Sequence, residues 1–203
     1  NVEIMKQLIA YISILFFFFV QVNTKNFVED YCWRDWNGIV PSDALKAGED
    51  KNGKPIYVGQ VIFKGKLING KIYSDKEFLY FDWVWKEHSQ VENVKILCSN
   101  QPQKFEWVQT LYNKVLSLLD KKLLVPGGVE EYTTYIGRVF CDGEKTVGKV
   151  LCDKYECSGL YTTSNGKSHT YKDFEVLYYN PEINSTNICE GSTFPIDVRF
   201  TPK

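Results

Sequence analysis

An all-β fold, made of two tandem repeats of short antiparallel strands, is predicted by three observations. The first is a phrase that occurs twice. Tyr57-Val58-Gly59-Gln60-Val61 leads on to Gly70-Lys71, and Tyr135-Ile136-Gly137-Arg138-Val139 leads on to Gly148-Lys149. In each phrase the lysine lies 14 positions after the tyrosine, at a constant offset of 78 between Tyr57 and Tyr135 and between Lys71 and Lys149. The second is the run of short aromatic and β-branched segments, which suit a pleated, half-buried surface. The third is the turn chemistry between them, glycine after lysine, aspartate or asparagine at hairpin spacing. Two copies make a tandem pair and not a solenoid.

The elements follow in chain order. Residues 1–24 read as a signal peptide, with Asn1–Ile4 upstream of a better start at Met5. Lys6 supplies a positive charge, and the apolar run Leu8–Val20, 13 residues long, is too short to span a bilayer. A buried core helix and a retained anchor are the competing readings of that run. The first repeat occupies 25–100. It offers a strand over 55–63, turn chemistry at Lys64-Gly65-Lys66, a turn at Asn69-Gly70, and strands at 71–73 and 78–81. The second repeat occupies 101–180, with strands at 133–141, 146–152, 159–163 and 173–179 and turns at Asp142-Gly143 and Asn165-Gly166. Gly59 and Gly137 suggest bulges. Between the repeats, Val108, Leu111, Tyr112, Val115, Leu118 and Leu119 fall at helical spacing. They mark either a short helix or a buried irregular connection. Residues 181–203 are a tail.

Charge and cysteines bound the function. The formal net charge is −1 with no basic stripe, which argues against nucleic acid and anionic membranes as partners. No membrane insertion is expected once the leader is removed. Cys32, Cys98, Cys141, Cys152, Cys157 and Cys189 form an even set behind a leader, which favours disulfides. Six cysteines allow fifteen connectivities, and one bridge is expected within the Cys141, Cys152, Cys157 cluster. A zinc site is the weaker rival, since no Cys-x-x-Cys pair occurs and His88 and His169 are remote. No metal or other cofactor is expected. Asn184-Ser185-Thr186 is a glycosylation sequon, so a glycoprotein is expected. No serine elbow, H-E-x-x-H or P-loop is present, and no enzyme activity is expected.

The stretch Ala44–Gly59, then Gly65 and Gly70-Lys71, resembles the DM-nine repeat. Trp36, Val40-Pro41 and Glu87-His88 fit the same pattern. Phe105-Glu106-Trp107-Val108, Gly127-Gly128, Tyr135–Arg138, Gly148-Lys149 and Phe174–Leu177 match it a second time. The resemblance implies an all-β protein whose two repeats pack with pseudo-twofold symmetry. It also implies a secreted lectin that binds mannose-type glycans, as in innate immunity. The acidic residue and the lysine that it assigns to the sugar fall on Asp50 and Lys71. In the second repeat Lys149 is retained, and Glu130 stands where the aspartate would be.

The residue types fit that chemistry. A carboxylate accepts two hydrogen bonds from vicinal hydroxyls, a lysine donates to a third oxygen, and charge-assisted bonds are the stronger kind. The plainer readings are also stated: Asp50 as a turn residue bonded to its own backbone, Lys71 and Lys149 as solvated strand lysines, Tyr57 and Tyr135 as core. Because the loop before Tyr135 is two residues shorter, Glu130 is expected to fall short of Lys149. One sugar site per chain follows, with agglutination dependent on a homodimer. The alternative is a secreted interaction scaffold, of salivary, venom or matrix type, without sugar binding.

Overall fold

A computed structural model describes residues 30–183. The leader, Asn184 and Cys189 lie outside them. Among the described residues fifteen strands, all paired antiparallel, fall into two sets. The first holds β1 (Cys32–Asp35), β2 (Lys46–Glu49), β3 (Pro55–Phe63), β4 (Lys66–Tyr73), β5 (Leu79–Trp83), β6 (Lys86–Gln90) and β7 (Val94–Cys98). The second holds β8 (Phe105–Leu111), the two-residue β9 (Leu123–Leu124), β10 (Pro126–Val129), β11 (Thr133–Cys141), β12 (Glu144–Cys152), β13 (Cys157–Ser164), β14 (Lys167–Tyr171) and β15 (Asp173–Tyr179).

The repeats are woven together. β2 pairs its own β3 and also β12, through Lys145↔Glu49. Its counterpart β10 pairs its own β11 and also β4, through Val129↔Leu67. With the hairpins β3–β4 and β11–β12, these six strands close a ring. β6 and β14 meet at Lys86↔Lys167, a residue facing its own counterpart across the pseudo-twofold. The pseudo-twofold packing implied by the resemblance is therefore present at single-residue level.

Close approach of the repeats explains two glycines. A Cβ on Gly48 would lie 1.9 Å from the carbonyl oxygen of Lys145, and one on Gly128 would lie 2.2 Å from that of Leu67. The bulges sit here too, between Lys46 and Gly48 and between Pro126 and Gly128. At Gly59 and Gly137 the registers run without a shift, so no bulge forms there. Side chains fill the space instead, with Ile72 and Leu79 over Gly59 and Val150 and Leu160 over Gly137.

Three hydrophobic clusters follow from the weaving. One mixes both repeats, with Leu45, Ile56 and Val58 against Ile136, Val147 and Leu177. The other two belong to one repeat each, with Tyr57 packed on the first and Tyr135 on the second, as core-type residues should be.

Turns at Lys64-Gly65, Asp142-Gly143 and Asn165-Gly166 all have two successive positive φ values, the geometry that two-residue hairpins prefer. Asn69-Gly70 does not turn. It lies inside β4, where Gly70 passes under the carbonyl of Tyr80 and Asn69 donates to the carbonyl of Gly148 at 3.0 Å. A short helical segment does lie between the repeats, beginning later than the spacing suggested: β8 runs to Leu111, followed by a 3-10 turn over Tyr112–Lys114 and a single α-turn, α1 (Val115–Leu118). The apolar residues at 108 and 111 lie on a strand paired with β15, and only the later ones wind.

Among the described residues one disulfide joins Cys152 and Cys157, within the cluster expected to hold a bridge. The expectation that all the cysteines are bridged is not met, since Cys32, Cys98 and Cys141 are unbridged. Cys32 and Cys98 face each other across β1 and β7, yet both remain thiols. Burial pushes the Cys98 thiol up to about 11. Among the described residues no helix is long and apolar enough to cross a membrane, and no group of three metal-ligating side chains is assembled.

Polar bonds across the repeats also come in symmetric pairs. Gln60 donates to the carbonyl of Gly127 at 2.5 Å, and Arg138, its counterpart, donates to that of Ala47 at 3.2 Å. Arg138 also forks onto Glu175 at 2.8 and 3.0 Å and lies 4.1 Å from the Trp107 ring. The hydrogen bonds from Arg138 hold the Glu175 carboxyl below its ordinary range, against an opposing push from burial. A depressed carboxyl contributes stability above its unfolded value and loses it as pH falls through its folded value. We expect Glu175→Gln to reduce the loss of stability seen on acidifying from about pH 5 to pH 3. Urea midpoints across that range check it; identical slopes for both proteins would refute it.

Candidate functional site

Each repeat's Gly-Lys pair points its lysine inward, and the outcome is the same twice over. Lys71 follows Gly70 on β4 and is 1% exposed; Lys149 follows Gly148 on β12 and is 3% exposed. Neither is a solvated strand lysine. Lys71 Nζ donates to the Thr163 carbonyl, to Thr146 Oγ1 at 3.0 Å and to Glu144 Oε1 at 3.0 Å. Lys149 Nζ donates to the Asp82 carbonyl at 3.0 Å and to Glu130 Oε1 at 2.6 Å, with Asp82 Oδ1 at 3.3 Å. Thr163 and Asp82 hold corresponding places. Tyr161 lies opposite Lys149 and Tyr80 opposite Lys71, and each carbonyl comes two residues later. Each lysine therefore reaches across into the other repeat.

What the lysine holds is a glutamate at the wall of a cavity. Site one has a volume of about 480 Å³. Its walls include Asp50, Asn52, Tyr73, Asp75, Glu144 and Ser164. Site two, about 390 Å³, is walled by Glu130, Tyr132, Asp153, Lys66 and Trp83 among others. Both volumes are in the range of small-molecule sites. Asp50 and Glu130 each follow the crossing strand, β2 or β10. Lys66 and Glu144 each open the second hairpin strand, and Trp83 and Ser164 each close the strand before a two-residue turn. The two cavities are thus two copies of one site, and each is built from both repeats.

The copies have diverged in where the carboxylate comes from. In site two it is Glu130, from the loop after β10. Its side chain is 14% exposed and reaches Lys149 despite the shortened loop. The expectation that Glu130 falls short of the lysine is overturned, because the crossing strand delivers the loop directly above β12's lysine. In site one Asp50 does not pair with Lys71. Its Oδ1 accepts from the backbone N–H of Asn52 and of Lys54, both at 2.8 Å, so it closes its own turn as the plainer reading had it. The carboxylate there is Glu144, from the other repeat, with its side chain 12% exposed. Lys66 occupies Glu144's place in site two. Sequence reading missed Glu144, and a position-by-position comparison of the copies, which pairs it with a residue of opposite charge, was the available signal.

Tyr73 completes the glutamate's environment in site one, its hydroxyl 3.1 Å from both Glu144 oxygens. Burial, reinforced by the Glu144 charge, pushes the Tyr73 phenol well above its ordinary value, so it stays a donor. Burial also raises Tyr80, the second ring of that wall.

Two stretches of the chain, residues 18–90 and 79–157, match the DM9 repeat. The chain belongs to the DM9 repeat family. Among solved structures, the DM9 pair resembles the nematode sperm cell motility protein MFP2B, with 13% identity and a TM-score of 0.57. That match covers 86% of this chain and 52% of the other, so the chain spans about half its length. At that identity the likeness shows a shared fold. No curated protein matches the chain.

The chemistry available to each site is hydrogen bonding by a fixed carboxylate. Each lysine is buried and spends its hydrogen bonds on protein acceptors, so it orients the glutamate at the cavity wall, where the carboxylate can accept. A buried ammonium is costly unless fully paired, and here that cost is met twice at the same place.

Proposed function

We propose that this DM9 protein is a secreted carbohydrate-binding protein that recognises mannose-type glycans through both sites. The observation that carries the reading is the repeated arrangement of a buried lysine fixing a glutamate at a cavity wall beside an aromatic ring. A fixed carboxylate suits a pair of vicinal hydroxyls. Two sites per chain, not one, follow from Glu130 reaching Lys149. Cross-linking of glycans then needs no homodimer, since one chain already offers two points of attachment. The Cys152–Cys157 bridge and the apolar leader read at residues 1–24 support an extracellular setting.

One observation favours the alternative, an interaction scaffold without sugar binding: the Lys71 ammonium spends all three donors on protein acceptors, and the Lys149 ammonium spends two and lies beside the Asp82 carboxylate.

Calorimetric titration with methyl α-mannoside separates the two. Two sites per chain are expected, with affinity between roughly millimolar and micromolar. Glu144→Gln is expected to remove one of them and Glu130→Gln the other, with the melting temperature of each variant reporting on its fold. Heats no larger than dilution, or two unchanged sites in both folded variants, would refute the sugar reading.

A further inference from the structure

The two sites are copies of one plan, and the residues that differ between them bear on what each can hold. The largest change is at one position. Trp83 walls site two, and Ser164 stands in its place in site one. The correspondence rests on register. Trp83 pairs with Lys86 across one two-residue turn, Ser164 pairs with Lys167 across the other, and Lys86 pairs with Lys167 between the repeats. A second change runs the same way: Tyr132 lines site two where Asn52 lines site one.

The indole is held firmly. Phe63 packs edge-on against it with ring centroids 5.9 Å apart, and Lys149 Nζ is 5.8 Å from its centroid. The turn that follows is built from Val84 and Trp85 at φ of 50° and 63°. A β-branched residue in that region is strained, whereas the matching turn uses Asn165-Gly166, which accept it at little cost. Backbone strain of this kind persists where the surroundings enforce it, and it gathers at ligand sites.

Building on the sugar reading above, we propose that the two sites have different specificities and that Trp83 sets the difference. Site two selects a pyranoside that presents a face of C–H bonds to the indole while its hydroxyls bind Glu130. Site one, with a serine there, reads hydroxyls through Glu144. A pyranose ring has polar edges and apolar faces. A ring face covering an indole buries apolar area that an open-chain polyol with the same hydroxyls does not bury.

The test isolates each site in the full chain. In a Glu144→Gln background, where site two alone remains, methyl α-mannoside is expected to quench tryptophan fluorescence and to bind better than mannitol. Trp83→Ala is expected to weaken the mannoside roughly tenfold and to reduce its advantage over mannitol, while Trp83→Phe keeps most of both. In a Glu130→Gln background, where site one alone remains, mannoside binding is expected to leave the fluorescence unchanged. Ser164→Trp there is expected to raise mannoside affinity roughly tenfold. Equal mannoside-to-mannitol ratios at the two sites, unmoved by Trp83→Ala and by Ser164→Trp, would overturn the specificity difference and leave the sugar reading standing. No mannoside binding in either background overturns both.

Discussion

Lys71→Ala is expected to destabilise the protein by about 3–5 kcal/mol, the usual cost of removing one partner from a buried ion pair. It is also expected to abolish ligand binding at site one. An exposed lysine would give the second effect without the first. Lys71 is fully buried, so its truncation strips Glu144, Thr146 Oγ1 and the Thr163 carbonyl of a donor together. Glu144 keeps the Tyr73 hydroxyl, but its charge is left uncompensated at a largely buried position. Lys71→Met fills the volume and still leaves that charge, so it is expected to recover only part of the loss. Urea unfolding measures the cost. A change under about 1 kcal/mol, the value for a surface pair, would show that the lysine is not doing structural work.

Gly48→Ala is expected to cost about 3 kcal/mol or more, because the added methyl would lie 1.9 Å from a backbone oxygen with strands on both sides. The obstruction falls at the Lys145↔Glu49 pairing, where β2 meets the other repeat. Gly128→Ala presses on the Leu67 carbonyl at 2.2 Å and is expected to behave alike. Gly53→Ala is the control. Its φ is positive, unlike those of Gly48 and Gly128, but no atom lies within 4 Å of its Cβ, so only a conformational cost of about 1 kcal/mol applies. Equal midpoints for Gly48→Ala and Gly53→Ala would refute the steric account.

Much of the fold was legible because local chemistry and register agreed. Lys64-Gly65, Asp142-Gly143 and Asn165-Gly166 turn where their φ preferences say they should. Asn69-Gly70 carries the same local signal and stays extended, since its glycine is spent on strand crowding under Tyr80. The Val84-Trp85 turn was invisible for the opposite reason: its residues locally resist the positive φ they adopt, and both side chains stay largely exposed, with Trp85 against the Tyr161 ring. The site was half legible. Lys71 and Lys149 take matching places in the two repeats, and Glu130 reaches the lysine it was expected to miss. Asp50 lines its cavity but turns its oxygen to its own loop. Glu144 was out of reach of any reading confined to one repeat, because its partner lies 73 residues away on the other.

The shared walls of the two cavities bear on ancestry. A solitary repeat would own half of each site and an unpaired β2 edge, and a second copy of itself is the partner that would complete both. Such an isologous dimer displays every substitution twice, once on each side of its axis. Joining the copies in one gene breaks that constraint. Position 144 could then become acidic without position 66 following, and tryptophan could arise at 83 while serine stood at 164. Covalent linkage of this kind lets one half of a symmetric assembly explore new ligands while the other keeps its own.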